Sequence, residues 1–281
     1  TPLGLVTINS AGTALASAAF SSAGLTWTAT TEIQTDGLVT STAGVTFAAA
    51  LIDLNGGITA AGQLVNLDAG TNGLTIDGGA ITTTGGNDTA GGAIDIDTTG
   101  NGSALISSSL VTSGGAATGT NDGVAGGAVT IDTAGTGVIT FATAADITTS
   151  GSAEAAGAGA AGVGGAGGLV TLNTTNTNIT LNDTTITTTG GAGTATTGAG
   201  GAVTFSDEVV LATGAVAITT GTTAGNILFS DTLDGAQALT LTAGTGNVTF
   251  TGIVGATPLG LVTINSAGTA LASAAFSSAG L

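Results

Sequence analysis

Three aspartates close equivalent phrases of this chain. Asp68 ends AGQLVNLD (Ala61–Asp68), Asp97 ends AGGAIDID (Ala90–Asp97) and Asp132 ends AGGAVTID (Ala125–Asp132). Hard carboxylate oxygens brought together in this way suit Ca²⁺. Asp68, Asp97 and Asp132, with Asp95 beside them, are therefore the candidate metal ligands, and the loops Asn87–Asp88 and Asn121–Asp122 offer the same ion a second place. No stretch has the spacing of an EF-hand or of the glycine–aspartate nonapeptide. A glycosidase needs only two carboxylates, and Asp207–Glu208 and Asp231/Asp234 are the nearest pairs by sequence. Neither comes with an aromatic platform for a sugar, since the chain has one Trp and no Tyr. That Trp27 sits in LTWT at an inward position, which predicts a packed side chain. The expectation is no catalytic residue and no enzyme.

Composition removes other chemistries. The 281 residues contain no Lys, Arg, His, Cys or Met, against 17 acids and 51 Gly. Without cations there is no footprint for phosphate, which excludes nucleic acid as a partner. Without cysteine there is no disulfide or thiolate metal site, and the redox compartment stays undecided. Mean hydropathy is +0.56, yet no stretch offers the ~18 strongly apolar residues of a membrane helix. The richest run, Ala155 to Gly168, is mostly Ala and Gly.

The elements that must position those acids are set by repetition. Residues 257–281 reproduce residues 1–25 letter for letter, so the sequence is one period, 1–256, and the start of the next, 257–281. Both ends fall inside the repeat, which predicts a fragment or one unit of a long array. A shorter rhythm runs within the period: AGGLVTLN (Ala166–Asn173), AGGAVTFS (Ala199–Ser206) and the weaker AGNILFSD (Ala224–Asp231) join the three phrases above. Their spacing varies, and the shortest, from Gly200 to Gly225, reads as the bare unit. Still shorter coils are expected in 1–62 and 226–256.

Each unit holds three short alternating runs, as in AVTI (128–131), VITF (138–141) and DITT (146–149). Short β-branched runs bounded by Gly, Asn, Asp and Ser are strands. Three strands per unit predict an all-β, right-handed parallel β-helix (β-solenoid), with about three strands per coil and about ten coils per period. The inserts 85–91, 114–126, 151–167 and 190–200 all follow the third strand. They project from one edge as a Gly/Ala/Thr ruff, expected to be flexible loop, with extended glycine-rich strands as the alternative.

Stacking predicts columns. Ile94/Ile96, Val129/Ile131, Val170/Leu172 and Val203/Phe205 form the first inward set, and Ile81, Leu110, Ile147, Ile186 and Ile218 another. The corner after the first strand reads Asp68, Asp97, Asp132, Asn173, Ser206, Ser230, Thr251 and Asn265, residue types that bond neighbouring amides at turns. VTIN of the duplicated run is taken for the same strand and corner as VTID and VTLN, so no domain break is expected at Thr257. Outward pairs such as Thr82/Thr84 and Thr187/Thr189 fit an ice-binding face. The equivalents Val111/Ser113 and Thr148/Ser150 and the neighbouring inserts argue against one.

The phrase GTGNVTFTGIVGATPLGLVTINSAGT (Gly244–Thr269), repeated among GAVTIDT-type coils, resembles the giant β-helical surface proteins of Gram-negative bacteria. These are filamentous-haemagglutinin-like adhesins and large repetitive exoproteins. The resemblance spans the chain and implies secretion to the cell surface and a role in adhesion, sheath or matrix. The lack of Lys, Arg and aromatic clusters departs from a ligand-reading tip, which leaves the shaft. The expected function is a structural one: an extracellular filament, sheath or fibre, with the stalk of a giant adhesin as the alternative. The expected partner is self, end to end and laterally through the loops, and no cofactor is required beyond the Ca²⁺ considered above.

Overall fold

The computed structural model describes residues 2–280; Thr1 and Leu281, which bound the duplicated runs, lie outside the described residues. The fold is a parallel β-helix. Among the described residues 28 strands belong to one sheet, and those of the inner coils pair in parallel with their equivalents in the coils below and above. Among the described residues the only helical turn is a single 3₁₀ turn, Gly159–Ala161.

Three faces wind in order. On the first, register runs Val6, Leu25, Val45, Val65, Ile94, Val129, Val170, Val203, Ile227, Val248 and Ala270. The second carries Ile33, Ile52, Leu74, Ala104, Ile139, Ile179, Val209 and Leu233. The third carries Phe20, Val39, Ile58, Ile81, Leu110, Ile147, Ile186, Ile218 and Leu241. Period-two alternation sends these residues inward and their neighbours out, so both predicted inward columns are in place. Unadorned coils run from Val6 to Leu25, from Leu25 to Val45 and from Ile227 to Val248. Each is shorter than the Gly200–Gly225 interval, so the bare unit is smaller than the glycine spacing suggests.

The lumen is filled by aliphatic side chains and by two aromatic stacks near the ends. Phe205, Phe229 and Phe250 lie face to face at centroid spacings of 4.8 and 5.2 Å. Trp27 stacks on Phe47 at 5.2 Å and is buried, as its alternation predicts. The duplicated phenylalanine plays one part twice, meeting Trp27 edge-on as Phe20 and Phe250 edge-on as Phe276. The aromatics therefore do cluster, but inside the tube.

The duplicated run corrects one expectation. VTIN at 6–9 lies on the first face, with Val6 opposite Leu25 and Ile8 opposite Trp27. VTIN at 262–265 lies on the third face, with Val262 opposite Leu239 and Ile264 opposite Leu241. Asn265 therefore leaves the aspartate corner and stands opposite Thr242. Nine turns separate Val6 from Val248, and Val262 is two faces further on. A period is thus nine and two-thirds turns where about ten were expected, rising about 46 Å at the strand spacing. What the second copy keeps is its local register: Leu3 and Leu5 face Ser22 and Gly24, while Leu259 and Leu261 face Ser278 and Gly280.

Candidate functional site: an acid ladder and a glycine fin

The first strands bring the predicted acids together. Asp68, Asp97, Asp132 and Asn173 are direct partners on successive coils, outward and half-buried, along a shallow groove that Thr98, Thr99 and Thr175 complete. Asp95 stands two residues before Asp97 on the same outward face, between Asn66 and Thr130. With no basic residue in the chain, the charges are left to one another. Burial, then the Asp95, Asp132 and Asp68 carboxylates, raise the Asp97 pKa above its ordinary value; burial, then Asp132 and Asp68, do the same at Asp95. Asn66 Nδ2 donates to Asp68 Oδ2 at 3.0 Å. The three stacked carboxylates run along the axis at coil spacing. Among the described residues no group of three or more acids converges around one point to hold an ion.

Most other acids accept backbone amides. Asp207 takes N–H bonds from Thr174 at 2.8 Å and Asn176 at 3.4 Å, in the turn one coil below. Asp231 accepts from Thr232, and Asp234 from Gly235 and Thr257. These aspartates, singled out by sequence for acid–base work, are therefore each engaged in holding a turn.

Where flexible loop was expected, the inserts form a hydrogen-bonded fin; its arms are extended and glycine-rich, as in the alternative, but none of them is a ladder strand. Outgoing arms bond to the arm above, Gly85 N–H to Ser113 O, Gly114 to Ser150 and Gly151 to Thr189, and returning arms do likewise, Gly91 to Ala125, Gly126 to Ala166 and Gly167 to Ala199. The arms also bond across and downward: Gly165 to Ser152, Gly115 to Thr89 and Gly191 to Gly165. An extended helix of three residues per turn points successive N–H groups in three directions. Gly162, at φ −69° and ψ 141°, has that backbone. Such close packing leaves no room for a side chain. A Cβ on Gly127, Gly168 or Gly201 would stand 2.0, 1.9 and 1.9 Å from the carbonyl oxygen of Gly92, Gly127 and Gly168 respectively.

A repeated clasp closes each coil at the fin's base. The buried hydroxyls of Thr83, Thr112, Thr149 and Thr188 donate to the carbonyls of Gly92, Gly127, Gly168 and Gly201 at 2.5–2.7 Å. The same glycine N–H groups donate back to the carbonyls of those threonines. The coil therefore shuts whatever length of insert lies between clasp partners, which are 9 residues apart at Thr83 and 19 at Thr149. At the outer end, acids reach from one fin layer to the next. Asp88 accepts from Thr118 N, Asp122 from Val163 N and Glu154 from Thr194 N at 2.7–2.9 Å. The Asn/Asp loops weighed for Ca²⁺ thus turn their carboxylates to backbone amides. At Asp88 the Thr118 hydroxyl, then Asn121, then the Thr118 amide hold the pKa below its ordinary value. Sequence reasoning missed both devices; the signal for the clasp was a Thr two residues after the third-strand Ile81, Leu110, Ile147 and Ile186, each ahead of the Ala-Gly-Gly that opens the next unit.

The outward threonines of the third face, Thr59, Thr82, Thr148 and Thr187, stand in one column broken by Val111. The fin rises from the corner beside them. No helix is long and apolar enough to cross a membrane among the described residues. Comparison with protein families, with characterised proteins and with solved structures gives no match.

Proposed function

We propose that this chain is the repeating shaft of an extracellular filament, sheath or matrix fibre. The observation that carries the reading is the period boundary. Val254–Ser266 is one strand running through Thr257, so one period passes into the next inside a coil, without a linker. Strands that pair in parallel from coil to coil let one period stack directly on the next in the same tube. The acid-only surface keeps shafts apart at low ionic strength, and Ca²⁺ bridging Asp68, Asp97 and Asp132 of neighbouring shafts draws them together. The absence of Lys and Arg leaves trypsin no site. Electron microscopy of the purified chain tests the reading. Narrow filaments that resist trypsin and thicken with Ca²⁺ are expected, whereas compact particles at every concentration count against it. Unchanged thickness and melting temperature in a chelator would remove the calcium part alone.

The stalk of a giant adhesin is favoured by a different observation, the recurrence of 1–25 as 257–281 within one polypeptide. Denaturing mass measurement of the native chain separates the two, a stalk requiring many periods in a single chain.

A further inference from the structure

The chain holds six Asn-x-Ser/Thr triplets, opened by Asn87, Asn101, Asn173, Asn178, Asn182 and Asn247. Such a triplet in a surface turn is an acceptor for asparagine-linked carbohydrate. Five of the six asparagines have other work or a fixed place. Asn101 Oδ1 accepts the Thr136 amide and Ser103 Oγ the Val138 amide, both at 3.1 Å, so both side chains of that triplet are engaged. Asn182 Nδ2, the atom that would carry the sugar, donates to Phe141 O at 2.7 Å. Asn247 Oδ1 accepts the Thr269 amide at 2.9 Å, and the rest of its triplet lies in the strand Val248–Phe250. Asn173 and Asn178 are half-buried strand residues, opposite Asp132 and Glu208.

Asn87 has no such work. Asn87, Asp88 and Thr89 are all exposed. They sit in a turn closed by the Thr89 N–H and hydroxyl, which donate to Gly86 O at 3.1 and 2.8 Å. The left-handed position of that turn belongs to Asp88, at φ 57°, and the Asp88 carboxylate is spent on the Thr118 amide. Asn87 itself has no positive φ, and its carboxamide makes no hydrogen bond among the described residues. The same dipeptide one layer up differs on both counts: Asn121 bonds Asp88, and Gly123 in third place breaks the triplet. Space is open as well. Residues 85–91 are the lowest layer of the fin, and the coil beneath turns without an insert, through the Gln63 N–H bond to Ala60 O at 2.9 Å.

We propose that Asn87 is the attachment site of an asparagine-linked carbohydrate. Its Nδ2 forms the bond to the anomeric carbon of a glycosyl diphosphate donor. The bond from that carbon to the diphosphate oxygen breaks, the diphosphate leaves with the electron pair, and one amide proton passes to a base of the transferase. The fold sorts the six triplets, leaving Asn87 alone both exposed and unengaged. This goes beyond the shaft reading and does not depend on it.

Fragmentation mass spectrometry of the chain from its native source is expected to find carbohydrate on Asn87 and the other five asparagines bare. A bare Asn87 overturns the proposal. A second arm uses the folded chain made without glycosylation, a glycosyltransferase directed to Asn-x-Ser/Thr, and its donor, a nucleotide-diphosphate hexose. A single hexose per chain is expected, at Asn87. Asn87→Gln, which removes no contact, is expected to abolish it, whereas Thr89→Ser keeps the hydroxyl and retains it. Short synthetic peptides spanning Asn87 and Asn101 are expected to be modified alike, because the selectivity belongs to the fold. A transferase that modifies the Asn87 peptide but leaves the folded chain bare overturns the proposal, as does one that places the hexose on Asn101 or Asn247 of the folded chain instead.

Discussion

The tube and the fin share one axis, yet they are held by opposite means. In the tube, side chains do the packing: Ile131, Phe141 and Phe205 are fully buried, and the lumen tolerates aliphatic and aromatic shapes alike. In the fin, the packed glycines of the arms leave no room for a side chain and the backbone bonds to itself in three directions. The tube draws its stability from apolar area removed from water. The fin buries little apolar surface and depends on satisfying nearly every amide. One region therefore has a sequence rule of alternation, and the other a rule of smallness.

Substitutions separate the two rules. Removing a stacked ring, Phe229→Ala, is expected to cost about 3–5 kcal/mol of unfolding free energy, lowering the melting temperature of the whole tube. Gly165→Val meets the Val124 carbonyl, 2.0 Å from the new Cβ. It is expected to strip hydrogen-exchange protection from the fin amides while leaving the tube amides slow. Equal loss in both regions would show that fin and tube unfold as one unit. The clasp that joins them is tested by Thr149→Val, which keeps the shape and removes the donor to Gly168. The expected cost is about 1–3 kcal/mol for a buried acceptor left unpaired, read as a lower melting temperature together with faster exchange at the fin base.

The smallest effect is electrostatic and has opposite signs in the two regions. On the tube, Asp95 and Asp97 have folded pKa values raised above 3.8, so the folded chain binds protons more readily than the unfolded one. Their repulsion is relieved as pH falls from neutral through those raised values toward 3.8. On the fin, Asp88 is lowered below 3.8, so its contribution is present above that value and lost as pH falls through its folded pKa. A melting temperature that rises on mild acidification and then drops is expected, and Asp97→Asn should raise it at neutral pH and flatten the rise. A monotonic fall from pH 7 would contradict the acid-ladder half of this comparison.

The tube was largely legible in the sequence because alternation and repeated phrases read it directly. Aligning AGGAIDID with AGGAVTID placed Asp97 beside Asp132 and Ile94 beside Val129, as found. Alternation has a period of two, however, so it reports inside against outside and says nothing about which of three faces a strand occupies. That is why VTIN at 262–265 keeps the alternation of Val262 and Ile264 but lies on a different face from VTIN at 6–9. The fin was less legible for another reason. Glycine has no side chain to make a pattern, and bonds such as Gly165 to Ser152 are fixed by backbone geometry alone. Asp122 and its partner Val163 are 41 residues apart, with nothing local to link them.

The fractional turn count has a consequence for shape. Wherever the period repeats without interruption, each copy of the fin is set one third of a revolution round from its predecessor, and only the fourth copy overlies the first. The outline becomes that of an arrow shaft fletched in three directions, with an axial recurrence of about 140 Å at the strand spacing. Identical vanes then face outward in three directions, and no single side of the tube is left without one.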